Sequence, residues 1–268
     1  MQQAVFFVVV VGPAGSGKSH LVDALGDWLE FNELDVARVN LDPAAEWLPY
    51  EPDVDVRDYI EARSIMEKHR LGPNGALVAS VDMLMNYVDK IRSEVEATKA
   101  NYVLIDTPGQ MELFAFRDTG PYVVREIIAG ERAAALFIFD AVFASNPRSL
   151  ASSLFLALST RLRLGLPQVN AVSKADLLKP EQMEEIQEQV NSPENLYNAL
   201  VAGGLDPLMA EAAARSLEAL VPEGSTAPAA LRFVSALSGY GLDDVYAALQ
   251  QVLVGGEDFY TEEPSPRL

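Results

Sequence analysis

The 268-residue sequence contains no cysteine and only two histidines, His20 and His69. The lack of cysteine excludes disulfides, thiolate metal sites and a cysteine nucleophile, and the shortage of histidine argues against a histidine-based metal site. Any catalysis must therefore use carboxylates, amides, lysine or arginine, together with a bound metal ion.

Positive charge is also scarce, since 20 Lys and Arg residues face 39 Asp and Glu residues and the formal net charge is −19. Binding along a nucleic-acid backbone needs a clustered basic surface, so direct nucleic-acid binding is not expected. The apolar run at residues 4–11 is too short to span a bilayer and follows no basic segment. We therefore expect a cytoplasmic protein without a membrane partner.

Short apolar runs rich in β-branched residues alternate with helix-length segments. This alternation predicts an α/β fold with a mostly parallel β-sheet and helices on both faces. In such sheets ligands bind at the carboxyl ends of the strands. The expected strands cover residues 5–11, 36–41, 102–106, 133–140, 168–173 and 231–235.

The chain length suits one domain, which we place at residues 1–255. Two helical segments interrupt the alternation. The first covers about 55–99, with helical patterns at 56–70 and 77–98, and the second is an acidic insertion at about 180–222. Residues 256–268 contain two prolines and are expected to form a flexible tail.

A phosphate-binding pattern follows the first expected strand, where residues 12–19 read G-P-A-G-S-G-K-S. In the P-loop, or Walker A motif, backbone N–H groups surround the phosphates, the lysine reaches the β- and γ-phosphates, and the Ser hydroxyl binds Mg²⁺. A strand precedes the motif and a helix follows it, which disfavours a glycine-rich turn that binds nothing. The candidate phosphate-binding residues are Gly12, Gly15, Ser16, Gly17, Lys18 and Ser19.

A second motif, Asp106-Thr107-Pro108-Gly109-Gln110, ends another expected strand. Asp106 can reach the Mg²⁺ shell through a water, and the Gly109 N–H can donate to the γ-phosphate, so that the loop senses its loss. A simple strand-ending turn is the alternative for this motif taken alone.

A third motif, Ser173-Lys174-Ala175-Asp176, predicts which base is bound. A carboxylate at Asp176 can accept hydrogen bonds from N1–H and the 2-amino group of guanine, which adenine does not offer, and the Lys174 stem can lie over the base. Ser173 stands where this pattern usually has Asn or Thr. Backbone N–H groups of Ala236 and Leu237 are candidates to contact the guanine O6. GTP or GDP is the expected ligand, and a surface Lys/Asp turn is the alternative.

The ordered set resembles the GPN-loop GTPases, a P-loop family in the branch of signal-recognition GTPases and dimeric carrier ATPases. The resemblance spans nearly the whole chain and is carried by Gly72-Pro73-Asn74, by N-L-D-P-A at 40–44 and by D-T-P-G-Q-M-E at 106–112. It implies a homodimer in which Gly72, Pro73 and Asn74 act in trans on the partner's nucleotide, with Asn74 near the γ-phosphate. A turn in which Asn74 caps the following helix is the alternative.

The resemblance also implies roles for other residues. Asp42 would contact Mg²⁺ or its waters and help to orient the attacking water. Gln110 and Glu112 are candidates to position that water, Gln110 because an amide both donates and accepts, and Glu112 as a base or merely a helix-start residue. His20 departs from the family's usual Thr, but its main-chain N–H would still meet the α-phosphate.

We therefore expect Mg²⁺-dependent GTP hydrolysis by a dimeric switch or assembly factor, and the resemblance suggests clients such as RNA polymerase. The catalytic candidates are Lys18, Asp42, Asn74, Gln110 and Glu112, and the metal candidates are Ser19, Asp42 and Asp106. One alternative is an ATP-driven dimeric carrier or partitioning ATPase, which predicts an additional lysine early in the P-loop and no Lys-x-Asp motif. The other is a nucleotide-dependent scaffold without turnover.

Overall fold

Seven strands form one sheet in the computed structural model, which describes residues 5–218 and 231–254. The strands are β1 Phe6–Val11, β2 Val36–Asn40, β3 Val54–Asp55, β4 Tyr102–Asp106, β5 Arg132–Asp140, β6 Gln168–Ser173 and β7 Arg232–Phe233. Their order is β3-β2-β4-β1-β5-β6-β7, and all neighbouring pairs are parallel. The expected α/β fold with a mostly parallel sheet is confirmed.

The helices are α1 Lys18–Phe31, α2 Ala62–His69, α3 Pro73–Met83, α4 Val88–Thr98, α5 Met111–Phe114, α6 Thr119–Ile128, α7 Ala141–Ala144, α8 Pro147–Leu164, α9 Pro180–Asn191, α10 Pro193–Ala202, α11 Pro207–Glu218 and α12 Leu242–Val254. They cover both faces of the sheet. Strand β1 is buried along its whole length, and its alternate residues enter two different apolar clusters, as the period of a strand requires. Helices α1 and α12 pack in one cluster, and α3, α4, α6 and α8 contribute to the other.

The helical segment before β4 differs in detail from the sequence expectation. Helix α2 begins at Ala62 instead of residue 56. The residues before it form the edge strand β3 at 54–55 and a 3-10 turn at 56–58, in which Asp55 accepts a hydrogen bond from the Arg57 N–H. Helix α3 begins at Pro73 instead of Leu77, since proline suits the first helical position, where an N–H has no partner. A 3-10 turn at Leu84–Asn86 then separates α3 from α4.

Helices α9, α10 and α11 occupy the region of the expected insertion up to residue 218. Helices α10 and α11 share a small apolar cluster with Ala151 of α8; the members on the two helices are Leu196, Leu200, Ala210, Ala214 and Leu217. Residues 219–222 of the expected insertion and the expected tail at 256–268 lie outside the described residues. No helix in the described ranges is both long and apolar enough to cross a membrane.

Candidate nucleotide-binding site

The P-loop joins the end of β1 to the start of α1 at the carboxyl edge of the sheet. Gly15 and Gly17 adopt φ angles of 78° and 90°, a left-handed conformation that glycine reaches without a steric penalty. A Cβ on Gly12 would lie 2.1 Å from the backbone oxygen of Ile138 on the neighbouring strand β5. The glycines therefore allow the loop to curl tightly against the sheet.

The start of α1 presents backbone N–H groups that have no backbone acceptor among the described residues. The first backbone bond into the helix runs from the Leu21 N–H to the Gly17 oxygen at 2.9 Å, so the N–H groups of Lys18, Ser19 and His20 precede the helical ladder. Backbone donors and the positive end of the helix dipole at such a site favour an anion. The exposed His20 ring lies 5.9 Å from the ring of Trp47, which makes the His20 side chain a neighbour of the loop after β2.

Lys18 is a buried cation at the centre of the site, with a relative exposure of 6%. Its Nζ donates to the backbone oxygens of Gly12 at 3.2 Å and Pro13 at 3.3 Å. Burial lowers the pKa of Lys18, while the negative charges of Asp106 and Asp42 act in the opposite direction. These two carboxylates help to keep a buried ammonium group charged where phosphate oxygens are expected.

Asp106 ends β4 and is the most deeply buried acid of the site, with 1% exposure. Burial raises its pKa from 3.8 to about 6, against the opposing effects of the Ser19 hydroxyl, Lys18 and Tyr50. The Tyr50 hydroxyl donates to Asp106 Oδ2 at 3.0 Å. The other oxygen, Oδ1, is buried and has no hydrogen-bond partner among the described residues.

Asp42 lies between the loop after β2 and the loop after β4. Its carboxylate accepts a hydrogen bond from the N–H group of Ala44 at 2.9 Å, and the N–H group of Gly109 is close enough to favour the charged form. Burial raises the pKa of Asp42, although these two N–H groups and the charge of Lys18 favour the carboxylate. The Gly109 N–H, which the sequence predicts to contact the γ-phosphate, therefore lies beside Asp42 in this structure.

A buried polar network fixes the position of Asp42. The Asn40 side chain, which has no exposed surface, accepts from the Asp42 N–H and donates to Asp55 Oδ1, both at 2.9 Å. Arg57 binds Asp55 through its guanidinium group and reaches the backbone oxygen of Ala45 at 2.9 Å. The loop at residues 42–50, called the first switch loop below, is therefore anchored to the sheet from several sides.

The donor set at this edge fits Mg²⁺. One hydroxyl, Ser19, and two carboxylates, Asp42 and Asp106, lie close enough to influence one another, and Asp106 Oδ1 is a buried oxygen with no partner in the described residues. Mg²⁺ prefers oxygen ligands and usually combines one or two carboxylates with waters and substrate phosphates. Accordingly, the described residues contain no cluster of three or more His, Cys, Asp or Glu side chains able to hold a metal by themselves.

The two candidates for positioning the attacking water follow Gly109. Gln110 precedes the first residue of α5, is partly exposed and makes no side-chain capping bond. Its amide is therefore not committed to the helix start. Glu112 lies on α5, and its side chain is outside the described part of the chain.

The base-reading motif is tied directly to the P-loop. The buried Ser173 hydroxyl donates to the Ser16 backbone oxygen at 2.6 Å. Lys174 has a left-handed backbone with φ of 57°, and its Nζ donates to the Gly15 oxygen at 2.8 Å and pairs with Asp140 at 3.3 Å. These contacts carry the Lys174 stem across the rim of the P-loop, where a base plane is expected.

Asp176 is oriented by the loop that follows β7. The Ser235 hydroxyl, which has no exposed surface, donates to Asp176 Oδ1 at 2.5 Å. The backbone N–H groups of Ala236 and Leu237 in the same loop donate to no acceptor among the described residues. A carboxylate that accepts and neighbouring N–H groups that donate match the edge of guanine.

The Gly72-Pro73-Asn74 turn is exposed at the start of α3. Gly72 is the N-cap residue and the helix start has no side-chain capping bond, so the alternative in which Asn74 caps α3 is wrong. Helix α3 contacts α5, which begins directly after Gln110. The helix that begins at the turn therefore packs against the helix that follows Gly109 and Gln110.

Sequence reasoning missed Tyr50 as a site residue, together with Asn40, Asp55 and Arg57 as supports of Asp42. Tyr50 lies eight positions beyond Asp42 in an irregular loop, so neither strand nor helix periodicity predicts its contact with Asp106. Asp140 and Ser235 follow apolar runs at the carboxyl edge of the sheet, and this position in the sequence indicates a place near the ligand for both residues.

Comparison with known proteins agrees with the geometry. A family model described as "Conserved hypothetical ATP binding protein" matches residues 10–254. A GPN-loop GTPase of Pyrococcus abyssi is 37% identical over 243 residues, which are 89% of this chain and 93% of that protein. The chain belongs to the GPN-loop GTPase family. The resemblance inferred from the motifs is thereby confirmed, and the chain is a nucleotide-binding GTPase.

A solved structure extends the family assignment to the fold. The crystal structure of a GTPase in apo form from Pyrococcus abyssi superposes with a TM-score of 0.80 and 33% identity, and the match covers 92% of this chain and 97% of that chain. A GPN-loop GTPase of Arabidopsis thaliana is 40% identical over 177 residues, which are 65% of this chain but only 59% of that protein. Our chain, a member of the same family, thus has the P-loop NTPase fold expected from its motifs.

Proposed function

We propose that this GPN-loop GTPase binds GTP with Mg²⁺ and hydrolyses it to GDP and phosphate as a homodimer. The observation that carries the proposal is the meeting of Lys18, Asp42 and Asp106 at one edge of the sheet. The buried ammonium, the P-loop N–H groups and Ser19 can hold the β- and γ-phosphates, while Asp42, Asp106 and Ser19 would hold Mg²⁺. When bound, Mg²⁺ neutralises charge that develops on the phosphate oxygens.

The chain's own groups account for the remaining requirements of hydrolysis. Gln110 can accept a hydrogen bond from the attacking water and donate to a phosphate oxygen, because its side chain is an amide. Asn74 of the partner subunit can donate to the transferred phosphate without adding another charge to the site. Its position supports this role, since the turn is exposed at the start of α3 and its side chain is not used as a cap.

Guanine is the proposed base. The support comes from Asp176, which Ser235 orients, and from the open N–H groups in the loop after β7. Competition of labelled GTP by excess ATP or XTP tests the proposal. Wild type should prefer GTP, and Asp176→Asn should shift preference to XTP, because xanthine offers a carbonyl where guanine has an amino group. A wild-type preference for ATP would overturn guanine recognition.

Mixing two inactive variants tests whether the Gly72-Pro73-Asn74 turn acts on the nucleotide of the partner subunit. Lys18→Ala removes the phosphate site but keeps Asn74, and Asn74→Ala does the reverse. If Asn74 acts across the dimer, mixing the two inactive variants restores GTP hydrolysis, because each mixed dimer contains one complete composite site. Asn86→Ala, an exposed asparagine in the turn after α3, is the control that should remain active. Two inactive variants that stay inactive in a verified mixed dimer would contradict action in trans.

We also propose that the nucleotide-dependent dimer acts as a molecular switch or assembly factor in the cytoplasm. GTP and GDP would bias the two switch loops differently, because only GTP offers a γ-phosphate to the Gly109 N–H, which lies beside Asp42. Clients such as RNA polymerase rest on family resemblance alone. Affinity capture with the GTP-loaded and GDP-loaded protein tests for them, and clients of a switch should be retained in one nucleotide state only.

A further inference from the structure

Tyr50 lies at the far end of the first switch loop, yet its hydroxyl reaches the acid at the end of β4. The loop is exposed in its middle, where Trp47 has 68% exposure, and buried again at Tyr50, which has 8%. The Tyr50 hydroxyl donates to Asp106 Oδ2 at 3.0 Å. The bond joins residues 56 positions apart in sequence and is fully buried.

The two oxygens of Asp106 are in different situations. Oδ2 is occupied by the phenol, whereas Oδ1 is buried without a partner among the described residues. A hydrogen bond to one oxygen restricts rotation of the carboxylate and leaves the other oxygen directed at a single place. Groups that orient metal ligands in this way are worth about 10- to 100-fold in metal affinity.

The ring of Tyr50 is placed independently of its hydroxyl. It belongs to the apolar cluster that contains Leu21 and Val22 of α1. Packing of the ring therefore places the Tyr50 hydroxyl beside Asp106, and removal of the hydroxyl alone should leave the ring in position. The other end of the loop is Asp42, whose N–H donates to Asn40. Asp42 and Asp106 are close enough to influence each other, so both ends of the first switch loop lie near Asp106.

We propose that Tyr50 is a positioning residue that holds Asp106 for Mg²⁺ and thereby couples the position of the first switch loop to occupancy of the metal site. The inference rests on the proposed Mg²⁺-dependent nucleotide binding. Displacement of residues 42–50 removes the hydroxyl from Asp106 Oδ2 and weakens the hold on Mg²⁺. Conversely, Mg²⁺ bound through Asp106 favours the docked loop, because linkage between two binding events is reciprocal.

The test measures the affinity for fluorescent GDP in EDTA and in saturating Mg²⁺. It also measures the Mg²⁺ concentration at which half of this difference in GDP affinity is reached. Tyr50→Phe should keep the wild-type affinity in EDTA and require about 10- to 100-fold more Mg²⁺. Tyr59→Phe is the matched control, because it removes a phenol that also bonds a carboxylate, Glu94, outside the site. The control should keep the wild-type Mg²⁺ requirement.

A second variant isolates the route through Asp106. In an Asp106→Asn background, Tyr50→Phe should change the Mg²⁺ requirement no further, whereas independent effects would add. An unchanged Mg²⁺ requirement in Tyr50→Phe overturns the proposal, and so does an equal loss of GDP affinity with and without Mg²⁺. If wild type itself binds GDP equally well in EDTA and Mg²⁺, the proposed Mg²⁺-dependent function fails instead.

Discussion

Neutralising Asp106 should stabilise the nucleotide-free protein while damaging the proposed metal site. Burial raises the pKa of this carboxyl from 3.8 to about 6, so the native state binds its proton more tightly than the unfolded chain does. Protonation of Asp106 therefore favours folding at low pH, and this contribution to stability is lost as the pH rises from about 4 through 6. At about 1.4 kcal/mol per pH unit, the ionised group destabilises the fold at pH 7.5 by about 3 kcal/mol.

The variant Asp106→Asn removes this charge and keeps an oxygen able to accept from Tyr50. Urea unfolding in EDTA without nucleotide should show the variant more stable than wild type by up to about 3 kcal/mol at pH 7.5. The difference between the two proteins should shrink towards zero near pH 4. Because the comparison is between two proteins at the same pH, titration of the many other carboxylates largely cancels.

Asp55 supplies a control of opposite sign. The Arg57 guanidinium and N–H and the Asn40 amide lower the pKa of Asp55 despite burial. The ionised Asp55 carboxylate therefore favours folding at pH values above the ordinary pKa of aspartate, and this contribution is lost as the pH falls. Asp55→Asn should therefore be less stable than wild type at pH 7.5. The reasoning about Asp106 is refuted if Asp106→Asn is no more stable than wild type at pH 7.5, or if its advantage is the same at pH 4.5.

Three further substitutions probe the loops around the phosphates. Gly12→Ala should lower the urea midpoint more than Gly72→Ala, because the Cβ at position 12 would lie 2.1 Å from a backbone oxygen, whereas the Cβ at position 72, where φ is −69°, would meet nothing within 4 Å; equal midpoints would contradict the close packing. Ser173→Ala should weaken GDP binding about ten-fold through loss of the bond to the Ser16 oxygen, with recovery in Ser173→Thr, and GDP titration measures both. Arg57→Gln should reduce kcat for GTP but leave GDP affinity in EDTA unchanged, since it loosens only the first switch loop; an equal fall in kcat and in GDP affinity in EDTA would show a general loss of structure.

The parts of the site that sequence predicted are those with fixed spacing along one loop. Lys18 and Ser19 must follow the glycines at set positions, and Asp176 must follow Lys174, so local spacing alone predicts the roles proposed for them. Parallel strands then bring such loops to a common edge, which is why the α/β prediction and the site agree.

The residues that sequence missed act across the sheet. The contact of Tyr50 with Asp106 depends on how an irregular loop returns to the core, and no period of the sequence encodes it. The two-residue strand β3 is too short for an alternating pattern, and a 3-10 turn at residues 56–58 stands where an α-helix was expected to begin. The start of α3 was readable in principle, because Pro73 marks a first helical position.

The strand order has a consequence for how this enzyme can vary. Strand β1 and its P-loop stand in the centre, with the strands of Asp42 and Asp106 on one flank and those of Lys174 and Ser235 on the other. Under the proposed roles, base recognition and hydrolysis therefore depend on opposite halves of the sheet. An altered base preference and an altered turnover rate should combine additively in one chain, so that either property is open to change by selection or design without rebuilding the other.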